Sequence, residues 1–250
     1  MTHIGILKCG ELPEDIQDPY GDIPDMIISA FENLDPDLKF TVYDAINEEL
    51  PALDDCDAFL CTGSTSSSYE RTPWILELED FVRECARSGK KLLGICFGHQ
   101  LITQALGGKV EPCDRGWALG TGFYELNSHK SWMTPSLGKL DILVMHRDQV
   151  VSIPERSQVI AQSQFCPYFM VQHSSNILTV QGHPEFTPAI LRYLADCNID
   201  NFTANKVREA LTSLTASLDA DVTIQWMINF IKMETPKHKA KMLDVQQQPL

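Results

Sequence analysis

The chain has 250 residues and a formal net charge of −14 at neutral pH. That balance argues against nucleic acid and anionic membrane surfaces as partners, because binding phosphate needs a basic face. Hydrophobic residues at 44% and charged residues at 22% suit one large buried α/β core, and no apolar run approaches the roughly 20 residues of a membrane span.

Residues 3–8 form an apolar run that reads as a strand. No basic stretch precedes it, so no signal peptide is expected and the expected location is cytoplasmic. A helix fits near 22–34, and strands fit near 39–43 and 57–61. The next helix covers 72–88. Thr72-Pro73 suits its first positions, and Ile75, Leu78, Phe81, Val82 and Cys85 recur at helical spacing as a core stripe. A short apolar strand at 91–95 leads into a helix with Leu101, Ile102 and Ala105 on one face, ended by Gly107-Gly108. Residues 109–160 are rich in turns and predict a mostly antiparallel extension. Strands return near 158–163, 168–172 and 177–181. Helices follow near 187–198, 203–217 and 220–233, and the apolar face of the last predicts packing on its own domain, with a dimer or partner surface as the lesser reading. Alternating strands and helices predict βαβ units in a parallel sheet. The chain therefore reads as one domain over 1–233, followed by a polar tail at 234–250 that is expected to be a mobile terminus.

Eight scattered cysteines, none in a C-x-x-C pair, point to reduced thiols rather than a disulfide framework. Cys96 and His99 have a spacing that zinc sites use, but no second ligand pair follows, so no metal or other cofactor is expected.

Cys96 carries the strongest chemical signal. Gly94 and Gly98 flank it at minus two and plus two, which is the cysteine form of the G-x-S-x-G nucleophile elbow. A tight strand-to-helix turn leaves no room for side chains at the flanking positions. The helix beyond aims N–H groups and partial positive charge at the thiol, which favours the reactive thiolate. The N–H of Phe97 becomes an oxyanion donor. A buried structural thiol is the usual fate of a cysteine, and the two glycines favour the nucleophile over it.

A thiol nucleophile needs a base, and the base needs an orienting group. Leu178 to Val180 reads as a strand, followed by Gln181-Gly182-His183-Pro184-Glu185-Phe186. Pro184 biases His183 to extended geometry, and in an extended stretch residues 183 and 185 project to one side. Glu185 can then hold one imidazole nitrogen while the other faces the thiol.

These two runs, G-I-C-F-G-H-Q and G-H-P-E-F, resemble the motifs of class I glutamine amidotransferase domains, the Cys-His-Glu glutaminase type found in GMP synthetase. The resemblance spans most of residues 3–200. It implies a flavodoxin-like three-layer sandwich with a mostly parallel central sheet, a small antiparallel extension and C-terminal helices. It implies Cys96 as nucleophile, His183 as general base and acid, Glu185 as third member, and Gln100 as a residue holding the γ-glutamyl end. The family's Gly-Gly-Pro loop after the third strand is replaced here by Cys61-Thr62-Gly63-Ser64-Thr65-Ser66-Ser67-Ser68-Tyr69, in which Gly63 and Ser64 are expected to supply the second oxyanion N–H. That serine-rich loop looks more like the stand-alone γ-glutamyl peptidase branch. Val144-Met145-His146-Arg147-Asp148-Gln149-Val150 resembles the family's Ser-His-Gly-Asp substrate loop, with Arg147 where glycine is common and His146 as a structural or pocket-lining residue. Three functions stay open: hydrolysis of a small γ-glutamyl substrate, ammonia supply to a synthetase partner, or a regulatory protein without turnover.

Overall fold

A computed structural model describes residues 1–234. Apart from Glu234, the tail expected to be mobile lies outside the described residues. The chain runs β1 (His3–Lys8), α1 (Glu14–Tyr20), α2 (Ile23–Glu32), β2 (Lys39–Asp44), β3 (Ala58–Cys61), α3 (Pro73–Ser88), β4 (Lys91–Ile95) and α4 (Phe97–Ala105). It continues through β5 (Lys109–Pro112), β6 (Ala118–Leu126), β7 (Lys139–His146), β8 (Asp148–Ser152), β9 (Gln158–Gln162), β10 (Met170–Gln172) and β11 (Ile177–Val180). The last helices are α5 (Pro188–Cys197), α6 (Ala204–Ser213) and α7 (Ala220–Lys232).

The main sheet has nine strands in the order β2-β1-β3-β4-β11-β10-β9-β6-β7. The first five are parallel to one another, and the last four run antiparallel to their neighbours. Strands β5 and β8 form a separate antiparallel pair. The antiparallel part is thus larger than the sequence predicts and reaches past residue 160 into β10. Its cause is connection length: β9 to β10 and β10 to β11 are joined by short loops, and a short loop can only turn a strand back on its neighbour.

Side-chain alternation on the parallel strands builds the two outer layers. Ile4, Ile6, Leu60, Leu93, Ile95, Leu178 and Val180 pack with residues of α2, α5 and α7. Leu7, Phe59, Cys61, Leu92 and Ile177 point the other way, onto α3 and α4. Strands covered on both faces read as continuous apolar runs, which is why they are legible in the sequence. Helix α3 follows the sequence reading closely, with Pro73 at its first position and Gly89 closing it at φ 76°. Helix α6 stops at Ser213, short of the predicted 217. The apolar residues of α7, including Ile224, Met227 and Ile228, are buried within the chain's own core.

Candidate active site

Strand β4 lies at the centre of the parallel half, between β3 and β11. Its carboxyl end delivers Cys96, where open α/β sheets gather their ligands. The Cys96 N–H donates to the Val180 carbonyl at 2.9 Å, which ties the turn to the end of β11. Cys96 then adopts φ 52° and ψ −101°, a left-handed conformation unusual for a residue with a side chain. Helix α4 starts at the next residue.

The flanking glycines are required by contact. A Cβ on Gly94 would lie 2.7 Å from the carbonyl oxygen of Gly98, and one on Gly98 would lie 2.3 Å from the carbonyl oxygen of Cys61. Backbone on both sides leaves no flexible group to yield. Gly98→Ala is therefore expected to lower stability by about 2 kcal/mol or more through overpacking, read as a lower urea midpoint with unchanged slope.

The segment after β11 carries His183 and Glu185. Gln181 N–H donates to the Phe169 carbonyl and His183 N–H to the Leu143 carbonyl, both at 2.8 Å. These bonds fix the segment against the antiparallel half of the sheet. His183 Nδ1 meets Glu185 Oε1 at 2.7 Å, and its ring stacks on Phe186 with centroids 4.1 Å apart. His183 and Glu185 are both buried. Burial disfavours the imidazolium, but Cys96 and then Glu185, acting through charge and hydrogen bonding, outweigh it and push the pKa up to about 10. With Nδ1 committed to Glu185, Nε2 is the ring nitrogen left free of that bond.

Cys96, His183, Gly63, Ser64, Phe97 and Gln100 line one cavity of about 520 Å³. A Cβ on Gly63 would stand 3.2 Å from His183 Cε1 and 3.9 Å from Cys96 Cβ, so this glycine lies against both side chains. The Gly63 carbonyl accepts from the Thr62 hydroxyl at 3.0 Å. Thr62 Oγ1 also accepts from the Cys9 N–H, and the Thr62 carbonyl from the Gly98 N–H, which fastens the loop after β3 to the elbow. Phe97 N–H belongs to the first turn of α4, where backbone donors have no partner within the helix.

Gln100 is buried and its amide nitrogen is already engaged, at 2.8 Å to the Asp148 carbonyl and 3.1 Å to Gln181 Oε1. Gln181 in turn directs Nε2 at Cys96 Sγ, 3.6 Å away. Sequence reasoning assigned Gln181 no role. The period-two argument that pairs residues 183 and 185 would have placed it on the same side. His99 turns away from the thiol and bonds Thr179 Oγ1 at 2.8 Å. His146 is buried against the cavity, and its Nδ1 lies 3.2 Å from the Asp148 carbonyl. Burial, only partly offset by that carbonyl, pushes its pKa down to about 3, so it is neutral beside the charged His183. Among the described residues no cluster of three or more His, Cys, Asp or Glu side chains could hold a metal ion, and no helix is long and apolar enough to cross a membrane.

Residues 15–200 match the family described as glutamine amidotransferase class-I. Among curated proteins the chain is similar to gamma-glutamyl peptidase 4 of Arabidopsis thaliana, 34% identical over 163 residues, 63% of this chain and 65% of that one. The chain thus spans just under two thirds of that relative's length. It is 27% identical over 209 residues to the GMP synthase [glutamine-hydrolyzing] of Streptococcus mutans, covering 74% of this chain and 40% of that protein. Among solved structures, a glutamine amidotransferase of Thermotoga maritima shares the fold with a TM-score of 0.72 at 16% identity, covering 92% of this chain and 97% of that one. With the elbow, the sheet order and a family match over most of its length, the chain belongs to the class I glutamine amidotransferase family.

Proposed function

We propose that the chain hydrolyses a γ-glutamyl amide bond through a thioester on Cys96. The observation that carries this reading is the conjunction in one cavity of a cysteine at an elbow with φ 52° and a buried histidine held by a carboxylate at 2.7 Å. Cys96 Sγ attacks the γ-carbonyl carbon, and the oxyanion takes hydrogen bonds from the N–H groups of Phe97 and of the Gly63-Ser64 turn. His183 gives its Nε2 proton to the departing amine as the C–N bond breaks. Thioester formation then removes the cysteine's negative charge. That charge is the largest of the influences raising His183. Its loss lowers the imidazole pKa, so His183 can take a proton from the water that attacks the thioester. Glutamate leaves and the thiolate–imidazolium pair returns. Gln181 holds Sγ from the side, while Gln100 braces Gln181 and presents its own oxygen to the γ-glutamyl end.

Acid-quenched protein incubated with γ-glutamyl substrate should carry one glutamyl mass on the peptide containing Cys96, and this mass should be absent from protein incubated with glutamate. Absence of the adduct from a protein that does turn over would overturn the thioester route.

A second reading is a glutaminase subunit that passes ammonia to a synthetase partner. It is favoured by the similarity to a GMP synthase in which the matching region is 40% of a longer chain. Glutamine turnover that rises only on adding such a partner would support it.

A further inference from the structure

Arg147 stands on the turn between β7 and β8, and it is the only lysine or arginine among the described residues that line the Cys96 cavity. Its side chain is exposed, and among the described residues no carboxylate pairs with its guanidinium. Its backbone, by contrast, is fixed. The Arg147 carbonyl accepts from the Cys113 N–H at 2.9 Å. The next carbonyl, that of Asp148, accepts from Gln100 at 2.8 Å and faces His146 Nδ1 at 3.2 Å. A rigid base with a free guanidinium is suited to bidentate capture of a carboxylate. In a chain of net charge −14, a local cation also offsets a field that otherwise repels anionic ligands.

The neighbouring wall says which side of the substrate this cation serves. Ser67 Oγ donates to Asp148 Oδ2 at 2.7 Å, joining the serine-rich loop after β3 to the Arg147 turn. These are the two segments whose sequence departs from the pattern the chain otherwise resembles, one by replacing Gly-Gly-Pro and the other by placing arginine at a glycine position. They lie 81 residues apart in the chain and meet on one wall of the cavity. Attack on a γ-carbonyl makes the same demands whatever amine is attached, so a cation on a wall outside the Cys96–His183–Glu185 set is free to act on the leaving group. A cavity of about 520 Å³ lies within the roughly 300–1,000 Å³ that takes a multi-group ligand, and it leaves space beyond a glutamyl head.

We infer that Arg147 binds a carboxylate on the departing amine and so sets a preference for leaving groups that carry a free carboxyl end. The inference rests on the hydrolase reading above. Glutamate release should be measured with γ-glutamyl-cysteinyl-glycine, its C-terminal glycinamide and glutamine, using wild type, Arg147→Gly and Arg147→Lys. Wild type should prefer the free acid over the glycinamide by about 10- to 100-fold in kcat/KM, mostly through KM, as expected for one charge-assisted contact. Arg147→Gly should bring that ratio close to one, and Arg147→Lys should leave it in between. Wild type without preference, a ratio unchanged in Arg147→Gly, or an equal fall on all three compounds overturns the Arg147 assignment alone. Wild type that releases glutamate from none of the three overturns the hydrolase reading and this inference with it.

Discussion

Cys96→Ala should reduce glutamate release by at least about 10⁴-fold while leaving the fold intact. Every covalent step depends on Sγ, and among the described residues no second thiol shares the cavity wall with it. The other cysteines that approach the parallel half, Cys9, Cys56, Cys61 and Cys85, are buried in the core. Burial pushes Cys85 up to about 12, which keeps it an unreactive thiol. Stability should change little. Alanine at φ 52° carries the same kind of backbone strain as cysteine, and the lost contacts amount to one small atom and its 3.6 Å approach to Gln181. A melting temperature within about 4 °C of wild type is the expected accompaniment. Hydrolysis that survives in the folded variant would remove Cys96 as the nucleophile.

The elbow was legible because its requirements fall on two fixed positions beside Cys96. Gly94 is held to glycine by the Gly98 backbone one turn on and Gly98 by the Cys61 carbonyl at the end of β3, and the motif records both directly. The parallel half was legible because strands buried on both faces leave nearly continuous apolar runs such as Leu92–Ile95 and Ile177–Val180, the latter broken only by Thr179. Other parts of the site depend on long-range placement. The engagement of Gln100 by Gln181 requires the register of β4 against β11, and the Ser67–Asp148 bond requires β3 and β7 to be placed across the cavity. No spacing in the chain encodes either. Helix α1 escaped the sequence reading because it is short and has Pro13 before it and Pro19 inside it, both of which read as turn signals. The partition of residues 109–160 into β5 to β8 was illegible in detail because those strands owe their pairing to partners far along the chain, as with Lys109–Pro112 against Asp148–Ser152.

Glu185→Gln tests the second half of the triad, and it does so through pH as well as rate. The glutamine side chain fits the same space and can still accept from His183 Nδ1, so the imidazole keeps its place. What disappears is a buried negative charge 2.7 Å from the ring. Turnover at neutral pH should fall about 10²-fold or more, because the imidazolium formed in each cycle loses its counter-charge. The pH dependence follows in sign. His183 is raised from 6.5 to about 10 although burial opposes its charge, with Cys96 and then Glu185 raising it. If His183 must be protonated to release the amine, wild-type acylation should decline only as pH climbs toward about 10. Without the carboxylate the raising influence is smaller, so the alkaline limb of the variant should move to lower pH. Stability should respond in the same direction. A raised histidine stabilises the fold fully below 6.5, and that contribution fades as pH rises through about 10. The stability difference between wild type and Glu185→Gln that comes from this histidine should therefore be larger at pH 6 than at pH 9, measured by urea denaturation at each pH. An alkaline limb that stays where wild type has it would mean that Glu185 does not set the charge of His183.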